Sequence, residues 1–128
     1  MVAVDTNVLS RLITKDDAAQ AKRASRLFQA EQVWVAKTVL LEADWVLRSL
    51  YRFSARDVGG AFKKLAGLPN VDLEDSPAVA QALVWLEAGM DFADGLHLAS
   101  REEANSFATF DMRFAKRTAT LNVVTRLL

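Results

Sequence analysis

The sequence contains no cysteine among its 128 residues. The chain therefore has no disulfide bonds and no thiolate ligands, so a bound metal would be held by oxygen atoms or by the single histidine. A protein without disulfides fits the cytoplasm, where thiols stay reduced, and we expect that location. No apolar run is long enough to cross a membrane, and the N-terminus lacks the features of a signal peptide. We expect no membrane partner.

The chain also has no net charge, because 16 basic residues balance 16 acidic ones. This balance argues against a protein that coats nucleic acid without sequence preference. It leaves room for a nuclease, since basic side chains can gather on one surface. Such clusters occur early and late in the chain: Arg11, Lys15, Lys22, Arg23 and Arg26, and then Arg113, Lys116 and Arg117. The alternative interpretation of each cluster is a solvated helix face.

Two kinds of catalytic motif are missing as well. The glycines form no phosphate-binding loop, since Gly59 and Gly60 lie inside a predicted helix. Serine and histidine form no evident nucleophilic triad. Apolar residues are plentiful at 52%, which is enough for a hydrophobic core. The length suits one domain, which we assign to residues 1–128.

Short apolar runs alternate with longer helical stretches, in the order β-α-α-β-α-α-β-α-α-β-α-β. This alternation predicts an α/β fold, a three-layer α/β/α sandwich around a mostly parallel sheet of about five strands. We expect the first strand to lie beside the fourth, where the winding of the sheet reverses. The predicted strands are Met1–Val4, Gln32–Ala36, Val71–Leu73, Ser106–Thr109 and Asn122–Thr125.

Predicted helices fill the segments between the strands. Two of their starts come from capping patterns: Ser54 to Asp57 has the form of a capping box, and Ser76 with Pro77 pairs an N-cap with proline at the first helical position. The helices are expected over Asp16–Ala30, from Thr38, after Ser54, after Ser76, from about Phe92 to Glu103 and over Asp111–Thr118.

Two acidic residues follow strands that we expect to be neighbours. Asp5 comes directly after Met1–Val4, and Asp111 follows the run Ser106–Phe110. Ligands of parallel sheets bind outside the carboxyl ends of the strands, and adjacent strands lie about 4.8 Å apart. We therefore expect these two carboxylates to approach each other. Like charges at that spacing repel unless a divalent cation binds between them.

Two further acids lie on predicted helices. Glu42 is one turn into its helix, and a capping box from Thr38 does not explain it because that box would need its acid at Leu41. A plain surface position is the alternative for Glu42. Asp94 follows Asp91 at a helix start, so capping is the alternative there. Four carboxylates without cysteine favour Mg²⁺ or Mn²⁺, which activate water in phosphate chemistry.

The single histidine and the tryptophans allow two interpretations each. His97 lies three residues after Asp94 on the same helix face, where it could support that acid or contact a phosphate. A packed structural histidine is the alternative that we favour. Trp34, Trp45 and Trp85 lie in apolar runs, and we expect them in the core or at an interface.

Taken together, these motifs resemble those of the PIN-domain ribonucleases, and most closely the VapC-type toxins of bacterial toxin–antitoxin pairs. The likeness covers nearly the whole chain. It rests on Val4-Asp5-Thr6-Asn7-Val8-Leu9, on Glu42 in the helix after the second strand, on Asp91-Phe92-Ala93-Asp94-Gly95-Leu96-His97-Leu98-Ala99 and on Thr109-Phe110-Asp111. Gly95 departs from the pattern, because the family usually has alanine there.

The resemblance implies a PIN-like fold and a Mg²⁺-dependent endoribonuclease in which Mn²⁺ can substitute. It also implies an RNA substrate, a homodimer and a cognate antitoxin protein that neutralises the toxin. By motif match, the implied catalytic quartet is Asp5, Glu42, Asp94 and Asp111. Within it, the implied metal ligands are Asp5, Asp94 and Asp111, and the implied supporting residues are Asn7, Thr109 and Asp91.

Other protein classes also place an aspartate after the first strand. A phosphatase of the haloacid dehalogenase type needs a second aspartate two residues later, where this chain has Asn7. A receiver-like signalling domain needs a lysine at the end of the fifth strand, which Asn122–Thr125 does not supply. The main alternative is a PIN-like RNA- or protein-binding module without catalytic activity, and the intact quartet argues against it.

Overall fold

The structure is a computed structural model that describes every residue from Met1 to Leu128. Its elements follow in the predicted order, which confirms an α/β fold with parallel strands. The strands are β1 (Val2–Ala3), β2 (Val33–Val35), β3 (Val71–Leu73), β4 (Ser106–Thr109) and β5 (Val124–Leu127). The helices are α1 (Thr6–Thr14), α2 (Ala18–Ala30), α3 (Lys37–Ser49), α4 (Ala55–Ala66), α5 (Ser76–Glu87), α6 (Phe92–Ala99) and α7 (Met112–Thr118). None of them has the length and apolar character that a bilayer crossing requires.

The five strands pair in parallel but form two sheets. β1, β2 and β3 make a three-stranded sheet in that order, in which Val33 lies opposite both Val2 and Val71. β4 pairs with β5 alone. The predicted pairing of the first strand with the fourth is therefore wrong. β1 is only two residues long, so it offers few backbone groups with which to continue the sheet beyond β2.

Helix starts follow the side chains that cap them. Ser54 and Asp57 form the predicted capping box at α4, through reciprocal hydrogen bonds of 3.0 Å. The N-cap of α5 is Asp75, so the prediction of Ser76 is wrong by one residue. Asp75 adopts a left-handed conformation (φ 55°), and its carboxylate accepts a hydrogen bond from the Ala78 amide. Asx residues tolerate that conformation better than most.

Two predicted boundaries shift because of contacts just outside the elements. Helix α6 ends at Ala99, before the predicted Glu103, and the Arg101 guanidinium donates to the Leu98 carbonyl in its last turn. Strand β5 begins at Val124, two residues later than predicted. A turn holds the Leu121 amide on the Thr118 carbonyl at 2.9 Å, so the chain becomes extended only after it.

The main core lies between the three-stranded sheet and the helices α1 to α6. Val33 and Val35 of β2 are fully buried there. The rings of Phe62 and Phe92 meet edge to face, with centroids 5.2 Å apart, and this contact joins α4 to α6. A smaller separate core around Phe114 packs against β4. The division of the core thus follows the division of the sheets.

The tryptophans differ in their surroundings. Trp85 packs against the smaller core and Trp34 is half-buried. Trp45 is 61% exposed, so a core position is wrong for it. The core-facing residues of α3 are Leu40, Ala43, Asp44 and Leu47, and position 45 falls outside that face.

Candidate functional site

Asp5 stands where β1 passes into α1. Its Oδ1 accepts a hydrogen bond of 3.1 Å from the backbone amide of Val8, which makes Asp5 the N-cap of that helix. The cap fixes the carboxylate and leaves Oδ2 without a partner. Asn7, two residues later, is exposed, and its amide group makes no hydrogen bond within the chain. The strand therefore presents an oriented carboxylate at the carboxyl end of the sheet.

Glu42 lies on the exposed side of α3. Its carboxylate takes part in no hydrogen bond or salt bridge, so it has no structural partner. Helix α3 contacts both α1 and α6. Glu42 therefore lies on a helix that contacts both α1, which Asp5 caps, and α6, which contains Asp94.

Asp94 has the most informative surroundings of the predicted residues. Asp91 is the N-cap of α6 and accepts the Asp94 amide at 3.3 Å, as the capping interpretation predicts. The carboxylate of Asp94 itself makes no hydrogen bond, so capping does not account for its half-buried position. Burial raises the pKa of Asp94, as do the negative charges of Asp91 and Asp111, whereas His97 lowers it. A divalent cation stabilises such a group of carboxylates.

Asp111 caps α7 directly after β4. Its Oδ1 accepts the amide of Phe114 at 3.0 Å, and its own amide donates to Oγ1 of Thr109, also at 3.0 Å. Thr109 therefore holds the turn that orients Asp111. Asp5, Asp91 and Asp111 all cap helices, which is why backbone amides fix their carboxylates.

The structure brings together only some of the predicted residues. Asp94 lies within electrostatic range of both Asp91 and Asp111. No three acidic or histidine side chains are close enough to hold one metal ion jointly. Because β1 and β4 are not paired, the sheet contact that predicted the proximity of Asp5 and Asp111 is missing. The metal-binding quartet stays a prediction, and its donors are the carboxylate oxygens that Mg²⁺ prefers.

His97 does not have the packed position that we favour from the sequence. It is exposed, because the buried residues of α6 are Phe92, Gly95, Leu96 and Leu98. It lowers the pKa of Asp94, so the two side chains lie near each other on one helix face. This position agrees with the other interpretation of His97, in which its side chain supports the Asp94 carboxylate.

Two residues beside the site, Asp44 and Arg48, were not predicted from the sequence. Asp44 is 6% exposed, and its Oδ1 has no hydrogen-bond partner. An Arg48 guanidinium nitrogen lies 3.9 Å from Asp44 and 2.9 Å from Asp91. Burial raises the pKa of Asp44 to about 6, against the attraction of Arg48 and with a further rise from Asp91. The four-residue spacing of Asp44 and Arg48 on α3 is the sequence signal that could have predicted this ion pair.

Arg48 connects the elements that carry two of the predicted catalytic acids. It belongs to α3, which carries Glu42, and its ion pair with Asp91 reaches the start of α6, which carries Asp94. The connection fixes the start of α6 through the residue that caps it.

Comparison with protein families fits this arrangement of acids at strand ends and helix starts. A family model described as the PIN domain matches residues 2–119. The chain belongs to the PIN-domain family. PIN domains are typically metal-dependent nucleases, and the matched segment contains Asp5, Glu42, Asp94 and Asp111. No curated protein and no solved structure matches this PIN domain. The family predicted from the motifs is confirmed, and the match carries no information on the toxin subtype.

Proposed function

We propose that this PIN domain is a Mg²⁺-dependent endoribonuclease that hydrolyses RNA phosphodiester bonds, with Mn²⁺ able to replace Mg²⁺. The observation that carries the proposal is the environment of Asp94. Its half-buried carboxylate has no hydrogen bond. Burial is the largest cause of its raised pKa, and the charges of Asp91 and Asp111 raise that pKa further. A structural role leaves that arrangement unexplained, whereas a cation ligand needs it.

The chain offers a distinct task to each acid of the quartet. Asp5, Asp94 and Asp111 would hold the metal, with Asp5 and Asp111 already oriented by their capping bonds. Glu42, exposed and without a partner, is suited to orient a water molecule. When bound, the cation supplies a lowered pKa for water and neutralises charge at the phosphate.

The supporting residues act on the backbone around these acids. Asp91 fixes the amide of Asp94, and Thr109 fixes the amide of Asp111. Each bond fixes the backbone where a helix begins. Asn7 offers an unpaired amide two residues from Asp5. We assign these three residues to positioning.

An RNA cleavage assay with three asparagine variants tests the proposal. Asp5→Asn and Asp94→Asn should lower the cleavage rate at least about 100-fold at saturating Mg²⁺, because each removes a ligand charge. Asparagine is also a good N-cap, so Asp5→Asn should fold normally. Asp72→Asn is the matched control, since Asp72 is exposed and unpaired. Cleavage at the wild-type rate by Asp94→Asn would contradict the proposal, and a wild-type protein that cleaves no RNA in Mg²⁺ or Mn²⁺ would favour the non-catalytic module.

We further propose that the nuclease is the toxin of a type II toxin–antitoxin pair, and that it forms a homodimer neutralised by a cognate antitoxin. Support comes from the motif resemblance and from large exposed apolar side chains that partner chains could cover. Among them are Trp45 (61% exposed), Val84 (59%) and Phe110 (82%).

Inducible expression tests the toxin assignment. We expect growth arrest that is relieved when the product of the adjacent small gene is expressed together with it. Light scattering of the isolated chain should give the mass of a dimer. Growth without arrest would contradict the toxin role, and a monomer would contradict the dimer.

A further inference from the structure

We propose that the cleft between α1 and α2 binds the RNA nucleotide next to the scissile phosphate, with Arg23 contacting the RNA backbone. This inference rests on the proposed ribonuclease function and names the part of the chain that holds its substrate. The cleft has a volume of about 440 Å³ and includes Asp5 in its lining. Volumes of this order are typical of sites for small organic ligands.

Two helix faces line the cleft. Asn7 and Arg11 come from α1, and Gln20, Arg23 and Leu27 come from α2. The three residues of α2 are spaced by three and four, so they share one face of that helix. Asp5 is the only acid in the lining, and it is also a proposed metal ligand. A ligand in the cleft would therefore adjoin the proposed site of hydrolysis.

The two arginines of the cleft differ in their partners. Arg11 donates to Gln20 Oε1 at 2.7 Å, to Asp16 at 3.0 Å and to the Tyr51 hydroxyl at 2.9 Å, so its charge is already neutralised. Arg23 is exposed and makes no salt bridge or side-chain hydrogen bond. Arg23 is thus the free cation of the cleft.

The unpaired side-chain groups of the cleft include three donors, beside two acceptors, Oδ2 of Asp5 and Oδ1 of Asn7. The amide nitrogens of Asn7 and Gln20 have no acceptor, and the guanidinium of Arg23 has none either. A ligand that pairs with these donors presents acceptors and negative charge, as the phosphates and sugars of RNA do. Leu27 adds an apolar surface against which a base or ribose can pack.

The cleft is also fixed before any ligand binds. The bond from Arg11 to Gln20 crosses from α1 to α2, and Asp5 and Asp17 cap the two helices. Binding to a preformed cleft avoids the entropy loss of ordering it.

RNA binding by three variants of α2 tests the inference. The probe is a fluorescein-labelled pool of short single-stranded RNA of random sequence, with Ca²⁺ in place of Mg²⁺ to suppress cleavage. Arg23→Gln should weaken binding about fivefold, the effect of losing one hydrogen-bonded contact. It should also reduce the slope of log affinity against log salt by about 0.7, the value for one phosphate on a single strand. Arg23→Lys keeps the charge and should keep the wild-type slope.

Arg26→Gln is the matched control, because Arg26 is exposed on the same helix, lies outside the cleft and has no ion-pair partner. Its affinity and salt slope should equal those of the wild type. Equal effects of Arg23→Gln and Arg26→Gln would overturn the inference, as would a wild-type protein that does not bind the RNA pool. Binding that depends on Arg23 without cleavage in Mg²⁺ or Mn²⁺ would support the cleft and overturn the nuclease.

Discussion

Replacing Asp44 by asparagine should stabilise the protein at neutral pH and have little effect at acidic pH. Asp44 is buried on α3, its Oδ1 has no hydrogen bond, and the nearest nitrogen of Arg48 lies 3.9 Å away. That distance is too long for a hydrogen bond. The ionised carboxylate therefore loses its hydration on folding and recovers only part of that loss from Arg48.

The size of the effect follows from the pKa of Asp44, which burial raises from 3.8 to about 6. The folded protein then holds this proton more tightly than the unfolded chain does. The free energy of unfolding consequently falls as pH rises from about 4 to about 6. Each pKa unit is worth about 1.4 kcal/mol, so the ionised group destabilises the fold by about 3 kcal/mol. Asparagine has a similar shape and no charge, and should recover up to that amount.

Urea unfolding followed by circular dichroism measures the change. We expect Asp44→Asn to exceed the wild type by about 2–3 kcal/mol near pH 7.5 and to match it near pH 3.5, below the pKa in both states. Asp72→Asn is the control and should stay within about 0.5 kcal/mol at both pH values, since Asp72 is exposed and unpaired. If Asp44→Asn is less stable than the wild type near pH 7.5, the ionised Asp44 carboxylate does not destabilise the fold.

Three further substitutions test local details of the site. Gly95→Ala should raise the melting temperature by a few degrees, because alanine has a higher helix propensity than glycine by about 0.5–1 kcal/mol. An added Cβ fits, since the nearest atoms lie 3.5 Å away. A lower melting temperature would show that position 95 has no room for a methyl group. Thr109→Val should cost about 1 kcal/mol in urea unfolding, through loss of the bond to the Asp111 amide, and should slow RNA cleavage. Unchanged cleavage would mean that the turn does not orient Asp111. Arg48→Met should also slow cleavage, since it removes the ion pair with Asp91. A wild-type cleavage rate would rule out this positioning role.

Most of the fold was predictable because its signals are local. The bounds of β3 and β4 and the capping box at Ser54 depend on short apolar runs and on residues three positions apart. The pairing of β1 was not predictable in this way. It depends on how many backbone groups a two-residue strand presents and on where distant helices place β4.

In the candidate site, too, local features were predictable from the sequence and long-range contacts were not. The sequence predicts Asp91 as a cap and Asp111 at the end of β4, and both positions are confirmed because they follow from neighbouring residues. It does not predict that Asp44 is buried, because its environment comes from Arg48 and from Asp91 on another helix. It also misplaces His97, whose exposure depends on which face of α6 meets the core.

Titration of the protein with Mn²⁺ in a calorimeter tests whether Asp94 belongs to a metal site. We expect saturable binding by the wild type and by Asp72→Asn, and binding weakened at least about tenfold in Asp94→Asn, which loses a ligand charge. Circular dichroism should show the same folded spectrum for all three proteins. No saturable binding by the wild type, or equal binding by Asp94→Asn, would contradict a metal site built on this carboxylate.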